Sequence, residues 1–104
     1  MDLLDECLAN RSVLMAPVVL AELLSDPSLP AVAESRLLGI SLAESLPGFW
    51  RRSGKLRAEL IRRGCRPKLA DTLIVQTCLD HKATLLTRDR DFGAFARWAG
   101  LKLI

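Results

Sequence analysis

Four short apolar runs limit what this chain can become: Val13-Leu14-Met15-Ala16, Ile40-Ser41-Leu42, Ala83-Thr84-Leu85-Leu86-Thr87 and Leu101-Lys102-Leu103-Ile104. Each is too short for a helix, and most lack the polar alternation of a strand with one face in water. They read as strands covered on both faces. Segments with a helical repeat separate them, and helix–strand alternation around such strands predicts an α/β domain built on a small parallel sheet. The 104 residues are enough for one domain, and 50% hydrophobic content can fill its core.

Punctuation residues set the helix ends. Residues 2–9 read as a short helix. Pro17 suits the first helical position of a segment over 17–24, which Ser25-Asp26-Pro27 closes. A second helix is expected over 30–38, stopped by Gly39. A third spans 47–64, with Trp50, Leu56, Leu60 and Ile61 among many charges and Gly54 weakening its middle. After Pro67, residues 68–81 place Leu69, Leu73, Ile74, Thr77 and Cys78 largely on one face. Residues 92–99 form a last helix before Gly100 and the final strand.

Composition removes several function classes. No apolar run approaches the ~20 residues a bilayer requires, and Asp2, Asp5 and Glu6 make the N-terminus acidic where a secretory signal is basic. A cytoplasmic protein is expected. Three scattered cysteines and one histidine argue against a zinc site and a disulfide framework, so Cys78 reads as a small core residue and His81 as a helix-end residue. The six glycines stand singly, with no phosphate-binding loop. Net charge is +3, and the excess concentrates between positions 51 and 68: Arg51, Arg52, Lys55, Arg57, Arg62, Arg63, Arg66 and Lys68 against Glu59 alone, with Arg36 upstream. That segment suits a polyanion, or equally a solvated helix face.

Three acidic positions stand out. Glu22 follows Val18 and Val19 by four and three residues, and Asp71 precedes Ile74, Val75 and Cys78 at helical spacing. Asp89 and Asp91 follow the carboxyl end of the 83–87 strand, the edge of a parallel sheet where ligands gather. Each has a structural alternative: an exposed stripe for Glu22, the helix dipole for Asp71, a turn or N-cap for Asp89. Taken together they suggest a site for a hard cation, because Mg²⁺ and Mn²⁺ prefer oxygen ligands and a carboxylate cluster holding one can activate water beside a phosphodiester.

Leu69-Ala70-Asp71-Thr72-Leu73-Ile74-Val75, followed by Thr87-Arg88-Asp89-Arg90-Asp91-Phe92, resembles the C-terminal half of PIN domains, especially the VapC-type toxins of toxin–antitoxin pairs. Ala16-Pro17-Val18-Val19-Leu20-Ala21-Glu22-Leu23-Leu24 is similar to that family's second acidic motif. The resemblance implies a PIN-like three-layer fold, with helices flanking the central sheet, and a metal-dependent endoribonuclease using Mg²⁺ or Mn²⁺. Glu22, Asp71, Asp89 and Asp91 become catalytic and metal-site carboxylates, with Thr87 in support. Arg51, Arg52, Lys55, Arg62 and Arg63 become RNA contacts. A cognate antitoxin and a homodimer are the implied partners. One departure matters: the family's first strand and its terminal Asp have no counterpart here, since residues 1–8 resemble the helix that follows them. Positions 1–104 are therefore expected to form a single PIN-like domain incomplete at its N-terminus. That departure keeps open an alternative, a catalytically inactive PIN-like module that binds RNA or protein.

Overall fold

The computed structural model describes residues 14–85 and 92–102. In chain order its elements are β1 (Leu14–Met15), α1 (Pro17–Leu24), α2 (Ala31–Leu38), β2 (Ser41–Leu42), α3 (Phe49–Arg62), α4 (Leu69–Asp80) and α5 (Gly93–Ala99). The architecture is α/β, mostly helical with a small parallel sheet. The expected helix over 2–9 and residues 13, 86, 87, 103 and 104 of the expected strands lie outside the described residues. No described helix is long and apolar enough to cross a membrane. The chain divides into two compact units, Met1–Glu44 and Ser45–Ile104.

In the first unit β1 and β2 pair in parallel, Leu14 opposite Ser41 and Met15 opposite Leu42, and the Ala43 N–H extends the ladder to the Met15 carbonyl at 2.9 Å. Parallel pairing needs a long crossover, which α1 and α2 supply. Pro17 holds Ala16 extended (ψ 134°) and frees the Ala16 carbonyl to accept from Val19 and Leu20. Helix α1 ends as predicted: the Ser25 hydroxyl donates to the Ala21 carbonyl at 2.7 Å, and the Asp26 carboxylate accepts the Ser28 N–H and hydroxyl. Met15, Ala16 and Ala43 are buried, whereas α1 buries none of its residues and Leu14, Leu23, Leu24, Val32, Leu38 and Leu42 are exposed.

In the second unit α3 packs on α4 and α5. Helix α3 starts two residues later than the expected 47, because Gly48 adopts a left-handed conformation (φ 82°) at its N-cap. A Cβ there would sit 2.7 Å from the Arg52 guanidinium. Phe49, Ser53 and Leu60 form its buried stripe. Thr72, Ile74, Val75, Gln76, Thr77 and Cys78 are all buried in α4, so its polar groups need internal partners. Thr72 and Thr77 donate to the carbonyls of Lys68 and Leu73, four residues back. Helix α5 contributes Phe95, 2% exposed and beside Phe92. The expected strands at 83–87 and 101–104 meet where the Leu85 N–H donates to the Lys102 carbonyl at 2.8 Å.

The turn after α3 is a Schellman motif: Cys65 N–H reaches the Leu60 carbonyl, Gly64 N–H reaches Ile61, and Gly64 is left-handed at φ 84°. Gly54 instead occupies an exposed interior turn of α3 with no atom near its added Cβ. The same substitution therefore has opposite signs at the two sites. In urea denaturation Gly54→Ala should raise stability by about 0.5–1 kcal/mol, and Gly64→Ala should lower it by about 1–2 kcal/mol, the cost of a left-handed alanine.

Candidate active site

Asp71 occupies the first turn of α4, half-buried. Lys68 at the N-cap stays extended (ψ 145°) and begins the helix, which puts Asp71 in the first turn, near the positive end of the helix dipole. It lines a cleft of about 190 Å³ with Arg66 and Lys68 from the preceding turn and Ala94 and Phe95 from α5. Cys65 also borders this cleft.

The other predicted carboxylates are placed differently. Glu22 lies in the last turns of α1 and is exposed, on a helix none of whose residues is buried. Asp89, Asp91 and Thr87 lie outside the described residues. Among the described residues no three His, Cys, Asp or Glu side chains gather as a metal site. The predicted donor set is nonetheless carboxylate oxygen throughout, and that chemistry fits Mg²⁺ or Mn²⁺ rather than a thiolate-loving ion.

The predicted cationic contacts separate into two groups. Arg52 is committed within the protein: its Nε and Nη2 donate to the two Asp80 oxygens at 3.0 and 2.6 Å, and its Nη1 donates to the Pro47 carbonyl at 2.6 Å. Gln76 Nε2 donates to the same carboxylate at 2.9 Å. Asp80 is 8% exposed, and the Arg52 hydrogen bonds, followed by that from Gln76, lower its pKa against the opposing effect of burial. Arg62 and Arg63 pair with Glu59, whose pKa falls chiefly through the Arg62 hydrogen bond, and the Arg63 guanidinium also lies 4.4 Å from the Trp98 ring centre. Arg51 and Lys55 are exposed on α3 and make no ion pair among the described residues.

The Arg52–Asp80–Gln76 cluster is absent from the sequence-based expectations. Its local half was visible as Gln76 four residues before Asp80 on one helix face. Its other half, an arginine 28 residues upstream, follows only from the packing of α3 on α4. Cys78 is a core thiol, its pKa raised by burial, so it is poorly suited to nucleophilic work.

No curated protein matches the chain. Among solved structures it is similar to VapBC2 from Rickettsia felis bound to a DNA fragment from their promoter, at 24% identity and a TM-score of 0.73 over 96% of this chain and 81% of that one. At that identity the likeness establishes a shared fold. The PIN-domain family itself, whose members generally use divalent metal ions, matches residues 2–97. With nearly the whole sequence inside that match, and the half-buried Asp71 at the start of α4 within it, this chain belongs to the PIN-domain family.

Proposed function

We propose that this chain is an endoribonuclease of the VapC type, hydrolysing RNA phosphodiester bonds with Mg²⁺ or Mn²⁺. The observation that carries the reading is Asp71, a half-buried carboxylate sharing a cleft with two basic side chains in a PIN-family chain. Asp71, Glu22, Asp89 and Asp91 would hold the ion. Bound there, the ion supplies Lewis acidity, lowering the pKa of water and neutralising charge on the phosphodiester. The protein's own part would be to present these carboxylates to the ion, to orient one of them or a water through the Thr87 hydroxyl, and to hold the RNA backbone with basic groups that include Arg51 and Lys55.

An antitoxin partner follows from the same reading, supported by the VapBC2 toxin–antitoxin likeness. A homodimer is supported by the exposed Leu23, Leu24, Val32 and Leu38 of the first unit, apolar surface that a second chain would remove from water. A cytoplasmic location goes with an RNA substrate. Incubating the purified chain with mixed RNA and Mg²⁺ or Mn²⁺ tests the function. Cleavage that disappears both with EDTA and in Asp89→Asn is the expected result. RNA retained but left uncut would favour the inactive binding module instead.

A further inference from the structure

We propose that Arg66 and Lys68, backed by Arg57, form a phosphate subsite that carries single-stranded RNA past Asp71. The proposal rests on the nuclease reading for its substrate and deepens it by naming where the strand is held. Three observations converge on these residues.

The first is charge left over after internal pairing. In the same basic segment Arg52 pairs with Asp80, and Arg62 and Arg63 share Glu59. Arg66 and Lys68 are exposed and make no ion pair among the described residues. Uncompensated cations crowded on one short turn repel each other, and an anion placed among them relieves that repulsion.

The second is placement. Arg66 and Lys68 line the cleft that holds Asp71, and they also line an adjoining hollow that continues to Arg57, Ile61 and Gly64. Lys68 at the N-cap and Asp71 in the first turn of α4 are three residues apart and line the same cleft. A backbone phosphate held by Lys68 therefore brings its neighbour on the strand close to the carboxylate.

The third is rigidity. Arg57 Nε donates to the Pro67 carbonyl at 3.2 Å, which pins the guanidinium against the turn and leaves its two terminal nitrogens for a ligand. Gly64 and the Schellman hydrogen bonds fix one end of that turn, and the ring of Pro67 fixes the other. Cations held in place before binding lose less entropy on contact.

The test measures binding of a fluorescent single-stranded RNA by anisotropy in EDTA, over a salt series, so that no cleavage is needed for the readout. The double variant Arg66→Ala/Lys68→Ala should weaken binding about tenfold at 0.1 M salt and flatten the log–log salt slope by about 1.4, the loss expected for two phosphate contacts on a single strand. The comparator Lys82→Ala/Lys102→Ala, two exposed cations outside the basic segment, should stay within about twofold. Charge-retaining Arg66→Lys/Lys68→Arg should recover most of the affinity. Equal losses in both alanine doubles, wild-type binding by Arg66→Ala/Lys68→Ala, or no RNA binding by the wild type would overturn the subsite. The two readings fail separately. A wild type that binds as predicted but never cuts RNA sinks the nuclease and keeps the subsite, and a wild type that cuts RNA while Arg66→Ala/Lys68→Ala binds and cuts normally does the reverse.

Discussion

Asp80→Ala should destabilise the chain by about 2 kcal/mol at pH 7, measured by urea denaturation. The substitution removes a carboxylate that is 8% exposed and accepts from Arg52 and Gln76. An exposed ion pair is worth only about 0.2–1 kcal/mol, whereas breaking a fully buried one costs about 3–5 kcal/mol. This pair lies between those limits, because Arg52 is 38% exposed and its guanidinium can turn to water once Asp80 is gone.

The clamp also predicts an acid dependence. The Asp80 pKa is lowered from its ordinary 3.8, first by the Arg52 hydrogen bonds. The folded carboxylate then binds a proton less readily than the unfolded one, so its stabilisation is complete above the unfolded value. It is lost as pH falls through that value and on through the lower folded one. Stability measured from pH 6 down to pH 2 should therefore fall less steeply in Asp80→Ala than in the wild type. Parallel curves for the two proteins would show that Asp80 is not held in this pair in solution.

What was legible in the sequence was mostly local. Pro17 and the Ser25-Asp26-Pro27 stop delimit α1 because backbone geometry and side-chain-to-backbone bonds act over a few residues. Pro67 and the helical spacing of 69–78 place α4 for the same reason, but the expected face is only partly buried: Leu69 is exposed, and Thr72, Val75 and Gln76 are buried beside Ile74, Thr77 and Cys78. The sheet was legible as parallel, and among the described residues β1 and β2 pair over two residues each.

The site was legible less evenly. Asp71 could be read from its position at a helix start, and its cleft adds the basic neighbours that helical spacing alone does not show. Glu22 read as a carboxylate on an apolar face, yet α1 buries nothing, so apolar residues beside it do not imply a dry environment. The basic segment looked uniform. Pairing divides it: Glu59 lies three and four residues before Arg62 and Arg63, a local signal, whereas the Arg52 partner comes from a separate helix. Of the cations left without an ion pair among the described residues, Arg66 and Lys68 are the ones that line the Asp71 cleft.

The second large effect concerns Asp71 itself. Asn keeps its shape and a neutral oxygen but removes the charge that a hard divalent ion requires, and charge count strongly sets the affinity of oxygen-ligand sites. Loss of transition-state stabilisation on the order of 100-fold, about 2.7 kcal/mol, is expected in RNA cleavage. Folding should be little changed, because the side chain is only half-buried and the substitution is nearly isosteric.

The decisive measurement is the rate of RNA cleavage against Mn²⁺ concentration for the wild type and Asp71→Asn, with metal-free thermal unfolding of both as the folding control. The account predicts equal unfolding curves, a rate at least 100-fold lower in Asp71→Asn, and no wild-type cleavage in EDTA. Wild-type cleavage that survives EDTA, or an Asp71→Asn protein that cuts at the wild-type rate with the same Mn²⁺ dependence, would contradict it.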